Sequence, residues 1–266
     1  MRTPFLLICL STQFAFSQSD TSLCKALYDE EKYEESFACY EKSAETVLDY
    51  YMCAMLARHL EKEKEFKSWS KDCLKKFKNE PKSYYYISYL QDENSDEYLK
   101  ITEKGLKKFP MDTTLLTNQI NFYIGKDNKK KALQIADELT VLKPDVLIYQ
   151  VTRGTILQNM NREGEALIAF KKCLKIDPNN YTAHYGIGSI YYNWAADKLT
   201  KANESNNQED YKILNDEGLV LLEKARPYLE QVYLADPKDE TNFKALKTCY
   251  IRLEMMDHYR AMLDDQ

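Results

Sequence analysis

"LIYQVTRGTILQNMNREGEALIAFKKCLKIDPNN", residues 147–180, decides the fold. In its second half Ala166, Leu167, Phe170, Cys173 and Leu174 recur at three- and four-residue steps, the stripe of an amphipathic helix. Pro178 follows the last of them, and a proline just past a helix end cannot continue it. The same punctuation recurs: Pro110, Pro144 and Pro178 lie 34 residues apart, each after a helical segment. The segments are "YLKITEKGLKKFP", "KKALQIADELTVLKP" and "GEALIAFKKCLKIDP". A fixed period of this length signals stacked supersecondary units, none of which buries its apolar face alone.

Within 147–180, Gly154, Ala166, Phe170 and Pro178 fall at positions 8, 20, 24 and 32 of the unit. With two helices per period, this pattern resembles the tetratricopeptide repeat (TPR) family. The small residue at position 8 lets the first helix lie close to the alanine at 20, and the aromatic at 24 fills the gap to the next unit. The resemblance extends over roughly 20–263. It implies an all-α, right-handed α-solenoid of antiparallel helix pairs, about six of them, as one domain over 18–266. Pro81 to Pro110 is 29 residues, so that repeat runs short.

The unit opening at Tyr181 places Gly188 at position 8, but its closing proline is Pro237. The interval from Pro178 is 59 residues, one period plus 25. The extra residues predict an elongated helical hairpin at about 196–220, with "NESNNQED" (203–210) as its tip. Tyr211, Leu214, Gly218, Leu221 and Ala225 form an apolar stripe on its second helix, with Trp194 and Leu199 as the expected opposing stripe and Pro227 as a bend.

Composition agrees with an all-α chain: 7 Gly and 7 Pro in 266 residues leave little material for the turns of a β fold. "MRTPFLLICLSTQFAFSQSD" has a basic residue, a short apolar run and small residues at Ala15 and Ser17. That layout predicts a signal peptide over 1–17 and an exported, periplasmic or envelope-associated protein. Six cysteines follow it, and export permits disulfides, with Cys24–Cys39 and Cys53–Cys73 as candidate pairs across helix pairs. The net charge of −5, with no cluster beyond "KDNKKK" (126–131), argues against nucleic acid and anionic lipid as partners.

No catalytic constellation is legible. His59, His184 and His258 are scattered, CxxC and HExxH are absent, and "YGIGS" (185–189) follows no strand. The expectation is a non-enzyme without cofactor or metal. TPR resemblance implies that the first helix of each pair lines a concave groove, which in this chain selects Thr117, Asn118 and Asn121, then Thr152, Thr155, Gln158 and Asn159, then Tyr185, Ser189, Tyr192 and Asn193. These amides and hydroxyls suit the backbone of a bound peptide or partner protein. The basic residues with which the chaperone-binding subgroup clamps a carboxylate are missing. A glycan-binding module using the groove tyrosines is the alternative. "YY" (50–51), "YYY" (84–86) and "YY" (191–192) are possible stacking platforms, though one tyrosine of each is expected in the core. Nothing in the sequence indicates a homo-oligomer.

Overall fold

The computed structural model describes residues 21–264; the expected signal peptide lies outside them. Among the described residues all regular structure is helical. The chain divides into two compact units, one ending at Pro110 and the other beginning at Met111.

The first unit holds three antiparallel pairs: α1 (Ser22–Asp29) with α2 (Tyr33–Ser43), α3 (Val47–His59) with α4 (Glu63–Lys76), and α5 (Pro81–Tyr89) with α6 (Asp96–Leu106). The short repeat has a physical account here, since α5 is 9 residues long where α3 has 13. Pro81 opens α5 rather than closing α4; its missing N–H costs nothing at a helix start. The second unit holds four pairs: α7 (Thr113–Gly125) with α8 (Lys129–Leu142), α9 (Leu147–Asn159) with α10 (Glu163–Ile176), α11 (Tyr181–Glu204) with α12 (Gln208–Ala235), and α13 (Glu240–Arg252) with α14 (Met256–Asp264). The described residues thus form seven pairs, one more than the prolines suggest.

Five of the seven turns within pairs share one geometry. Glu31, Glu61, Asp127, Asn161 and Glu254 each adopt a left-handed backbone, with φ between 52° and 60°. The next residue's N–H then reaches back five residues: Lys32 to Leu27 O, Lys62 to Ala57 O, Asn128 to Tyr123 O, Arg162 to Leu157 O and Met255 to Tyr250 O. These are Schellman closures, which satisfy the orphan carbonyls of a helix end. In α11 the equivalent position is Ala195, fully buried inside a continuous helix. The turn is therefore postponed.

The insertion is wholly helical. α11 has 24 residues against 13 for α9, and α12 has 28 against 14 for α10, so the excess of 11 and of 14 accounts for all 25. Only Ser205–Asn207 remains as the tip, where Asn207 caps α12 by accepting from the Glu209 and Asp210 N–H groups. Across the hairpin Ala195, Leu199 and Ala202 face Gly218, Leu222 and Ala225, all buried. A Cβ at Gly218 would lie 2.7 Å from Leu199 Cδ2, so the glycine allows the close approach. Trp194 does not join this seam as expected. Its indole N–H donates to Glu163 at the start of α10, and Ala195, one residue on, takes the seam position.

Between repeats, Phe170 of α10 performs the packing expected of position 24. Its ring edge lies where a Cβ on Gly154 of α9 would come within 2.6 Å and one on Gly186 of α11 within 2.4 Å. Two glycines thus make one slot for one ring. A second linkage recurs at the fourth residue of three first helices. Tyr84 Oη, Gln150 Nε2 and His184 Nε2 each bond the carbonyl six residues earlier, on Lys78, Pro144 and Pro178, at 3.0, 3.2 and 2.8 Å. Three unlike side chains tie the joint between pairs to the helix that follows it.

Cys24 and Cys39 form a disulfide between α1 and α2. The second candidate pair does not form: Cys53 and Cys73 are free and buried, as are Cys173 and Cys249. Burial pushes these four thiols up, to about 12 for Cys53, Cys73 and Cys249 and about 11 for Cys173.

Candidate functional site

The first helices of successive pairs carry the candidate groove positions. In the second unit α9 touches α11 directly, so side chains from the two helices share one surface. Gln158 Nε2 donates to Ser189 Oγ at 3.1 Å across this boundary, and Ser189 in turn donates to Gly186 O at 3.1 Å. Around that bond Thr155, Asn159 and Asn193 are exposed, and Thr152, Tyr185 and Tyr192 are half-buried. Asn121 on α7 is exposed as well.

Two expected members sit differently. Thr117 and Asn118 are only 7% and 5% exposed, and the Thr117 hydroxyl donates to its own helix at Thr113 O, 2.7 Å away. Tyr192 leans on the apolar cluster of α11–α14 rather than standing free. The surface that remains is a row of neutral donors and acceptors.

Sequence reasoning missed the neighbouring aromatic corner. Tyr181 and Tyr185 stack with ring centres 6.2 Å apart, and Tyr181 Oη donates to Asp239 Oδ2 at 3.1 Å. Burial, then this bond to Asp239, pushes the Tyr181 phenol up to about 12; burial and then Asp239 raise Tyr185. Asp239 also caps α13, accepting from the Thr241 and Asn242 N–H groups. The contact joins two repeats 58 residues apart in sequence, which a one-repeat template does not register.

Only the 84–86 cluster of tyrosines divides as expected. Tyr84 is fully buried and Tyr86 nearly so, while Tyr85 is half-buried and Tyr89 is 59% exposed. Tyr50, Tyr51, Tyr191 and Tyr192 are all half-buried, so neither doublet puts a ring fully in the core. The histidines serve packing. His184 bonds Pro178 O, His59 meets the Tyr33 ring at 4.4 Å and His258 the Tyr250 ring at 5.6 Å. Among the described residues no three His, Cys, Asp or Glu side chains gather as a metal site, and no helix is long and apolar enough to cross a membrane.

No family model and no curated protein matches the sequence. Solved structures do. The C-terminal part of a TPR repeat-containing protein from Cytophaga hutchinsonii aligns with a TM-score of 0.60 at 14% identity, covering 84% of each chain. YrrB, described as a TPR protein with an unusual peptide-binding site, aligns with a TM-score of 0.51 at 18% identity, covering 85% of this chain and 99% of its own. At such identities the likeness concerns architecture, and it agrees with the repeat read from the prolines, the Schellman turns and the Gly–Phe–Gly slot: the chain has the all-α helical-repeat fold of TPR proteins.

Proposed function

We propose that the protein is a non-catalytic interaction scaffold that holds an extended peptide or a partner protein segment on the first-helix face of its second unit. The observation that carries this reading is the shared α9–α11 surface. Gln158 and Ser189 meet there, with Thr155, Asn159 and Asn193 exposed beside them. Amides and hydroxyls pair with backbone N–H and C=O groups whatever the bound sequence. Helices in a packed array also lose little freedom on binding. YrrB's described peptide-binding site supports the same reading. The acidic balance of the chain speaks against nucleic acid as the partner. Export to the envelope or periplasm is part of the proposal, supported by the signal-like N-terminus and the Cys24–Cys39 disulfide, since such bonds persist in oxidising compartments.

The test is selection of binders from a displayed library of random peptides, followed by titration against variants. Selected peptides are expected to lose about tenfold in affinity with Gln158→Ala or Asn193→Ala, the loss of one or two hydrogen bonds. Peptides indifferent to both changes would overturn the assignment. Saturable binding of oligosaccharides abolished by Tyr185→Ala or Tyr192→Ala would replace it with glycan recognition.

A further inference from the structure

The inserted hairpin carries apolar residues that its own packing does not use. Its seam is the buried set Ala195, Leu199 and Ala202 against Gly218, Leu222 and Ala225. Ile213 and Val220 of α12 lie outside that seam, 51% and 50% exposed. Ile213, Glu217, Val220 and Lys224 recur at four-, three- and four-residue steps, which places them on one face of the helix. Leu221 borders this face, and with Lys198 of α11 these side chains line a shallow trough. Polar residues fill the neighbouring exposed positions Lys212, Asp216 and Glu223, so exposure on this helix does not itself call for an isoleucine and a valine. α12 is a second helix, and the trough is separate from the first-helix face that carries the amide row.

The charges along this flank of the hairpin are mixed. Lys198, Lys201 and Lys224 stand there with Glu204, Asp210, Asp216 and Glu217. A partner of one strong sign, or an anionic lipid surface, would meet like charges. The order of the charges along α12 fits a different occupant. Glu217 lies three residues before Val220, and Lys224 lies three residues after Leu221. A two-fold axis between Val220 and Leu221 therefore exchanges Glu217 with Lys224. Lys198 bonds only Oε2 of Glu217, at 2.6 Å, and Lys224 makes no ion pair among the described residues.

We propose that this face of α12 pairs with the same face of a second copy of the chain, antiparallel, about a two-fold axis between Val220 and Leu221. Val220 of each copy then rests on Leu221 of the other, and Glu217 of each meets Lys224 of the other. Ile213 falls opposite the half-buried Tyr228 of the second copy. The axis lies about one residue from the midpoint of α12 (Gln208–Ala235), so the two helices overlap over 208–233. A helix of 28 residues is about 42 Å long and about 10 Å wide, which gives a contact strip of roughly 400 Å² per partner. That is below the roughly 800 Å² per partner of a standard interface, so the dimer is weak, with an expected Kd of about 10–100 μM. Where the amide row holds a segment as proposed above, pairing makes the scaffold bivalent; the dimer itself does not depend on that reading.

The test is sedimentation velocity of the full chain from about 1 to about 500 μM, with circular dichroism melts as the check on folding. A concentration-dependent monomer–dimer equilibrium is expected. Val220→Asp, at an exposed position, should weaken it at least about tenfold with the melt unchanged. Glu217→Lys and Lys224→Glu should each weaken it about tenfold, because each places like charges at both ion pairs. An equimolar mixture of those two variants sets opposite charges at both sites again, so its affinity should return to within about threefold of the parent. A dimer indifferent to Val220→Asp, or a mixture no tighter than its components, overturns the proposal. So does a chain that stays monomeric throughout the range, which would leave the trough to an unlike partner.

Discussion

Gly186→Ala tests the inter-repeat packing directly. In a helix interior alanine is favoured over glycine by about 1 kcal/mol, so on propensity alone the change stabilises. Here the new methyl would stand 2.4 Å from Phe170 Cε2 and 2.7 Å from Cδ2, far inside contact distance. The ring cannot retreat, because its other edge meets Gly154, where a Cβ would lie only 2.6 Å away, and Phe170 is 1% exposed. Overpacking a closed core costs about 1–3 kcal/mol, and a ring held on both sides belongs at the upper end. After the propensity gain, a net loss of about 2 kcal/mol remains, or about 4–8 °C for a unit of this size. Urea titration followed by circular dichroism measures it. Gly164→Ala is the control, since a Cβ there meets nothing within 4 Å, and it should be neutral or slightly stabilising. Phe170→Leu, destabilising alone, should recover part of the loss in the Gly186→Ala background, with a coupling of about 1–2 kcal/mol. A Gly186→Ala protein as stable as the parent, with effects that add, would refute the two-sided slot.

Three further outcomes follow from the same geometry. His184→Gln should be nearly neutral, because Gln150 makes the equivalent bond in the preceding repeat, whereas His184→Leu should cost about 1–2 kcal/mol by leaving Pro178 O unpaired in thermal melts. The four buried thiols have raised folded pKa values, so the stability they contribute is complete below their unfolded value near 9 and is lost as pH rises towards 11–12; urea midpoints should fall over that window, and iodoacetamide at pH 8 should label Cys53, Cys73, Cys173 and Cys249 only after unfolding. Reducing Cys24–Cys39, which closes a 15-residue separation, should lower the stability of the first unit by about 3 kcal/mol in denaturant titrations with and without dithiothreitol.

How much of this was legible depends on how few side chains can do each job. Proline stops and Phe170 as the filler between repeats were readable because few side chains do either job and the sequence must repeat them, whereas the contact of Gly154 with that ring was not, the expected neighbour being Ala166. The 25-residue excess was readable for the same reason, as a break in a strict period, and the structure assigns all of it to helix. The seam inside the hairpin was off by one residue at Trp194, because a large indole in a helical stripe reads as core whether it faces α12 or α10. The bonds from Tyr84, Gln150 and His184 left no signature, since three unrelated side chains reach the same carbonyl.

That contrast separates the two kinds of position in the chain. Where neighbouring helices meet, the repeat admits only small residues or a ring, so those sites carry the fold and say nothing about a ligand. Where the first helices face outward, the contacts between repeats do not fix the residue type, which leaves those positions open to serve a ligand. The outward positions of α9 and α11 hold Thr155, Gln158, Asn159, Ser189 and Asn193 with Tyr185 and Tyr192 half-buried among them, and the fifth residues of α3, α5 and α11 are all tyrosines. An amide row matches a backbone with N–H groups to satisfy. The amide row proposed as a binding face thus stands on outward positions whose residue types the contacts between repeats do not dictate.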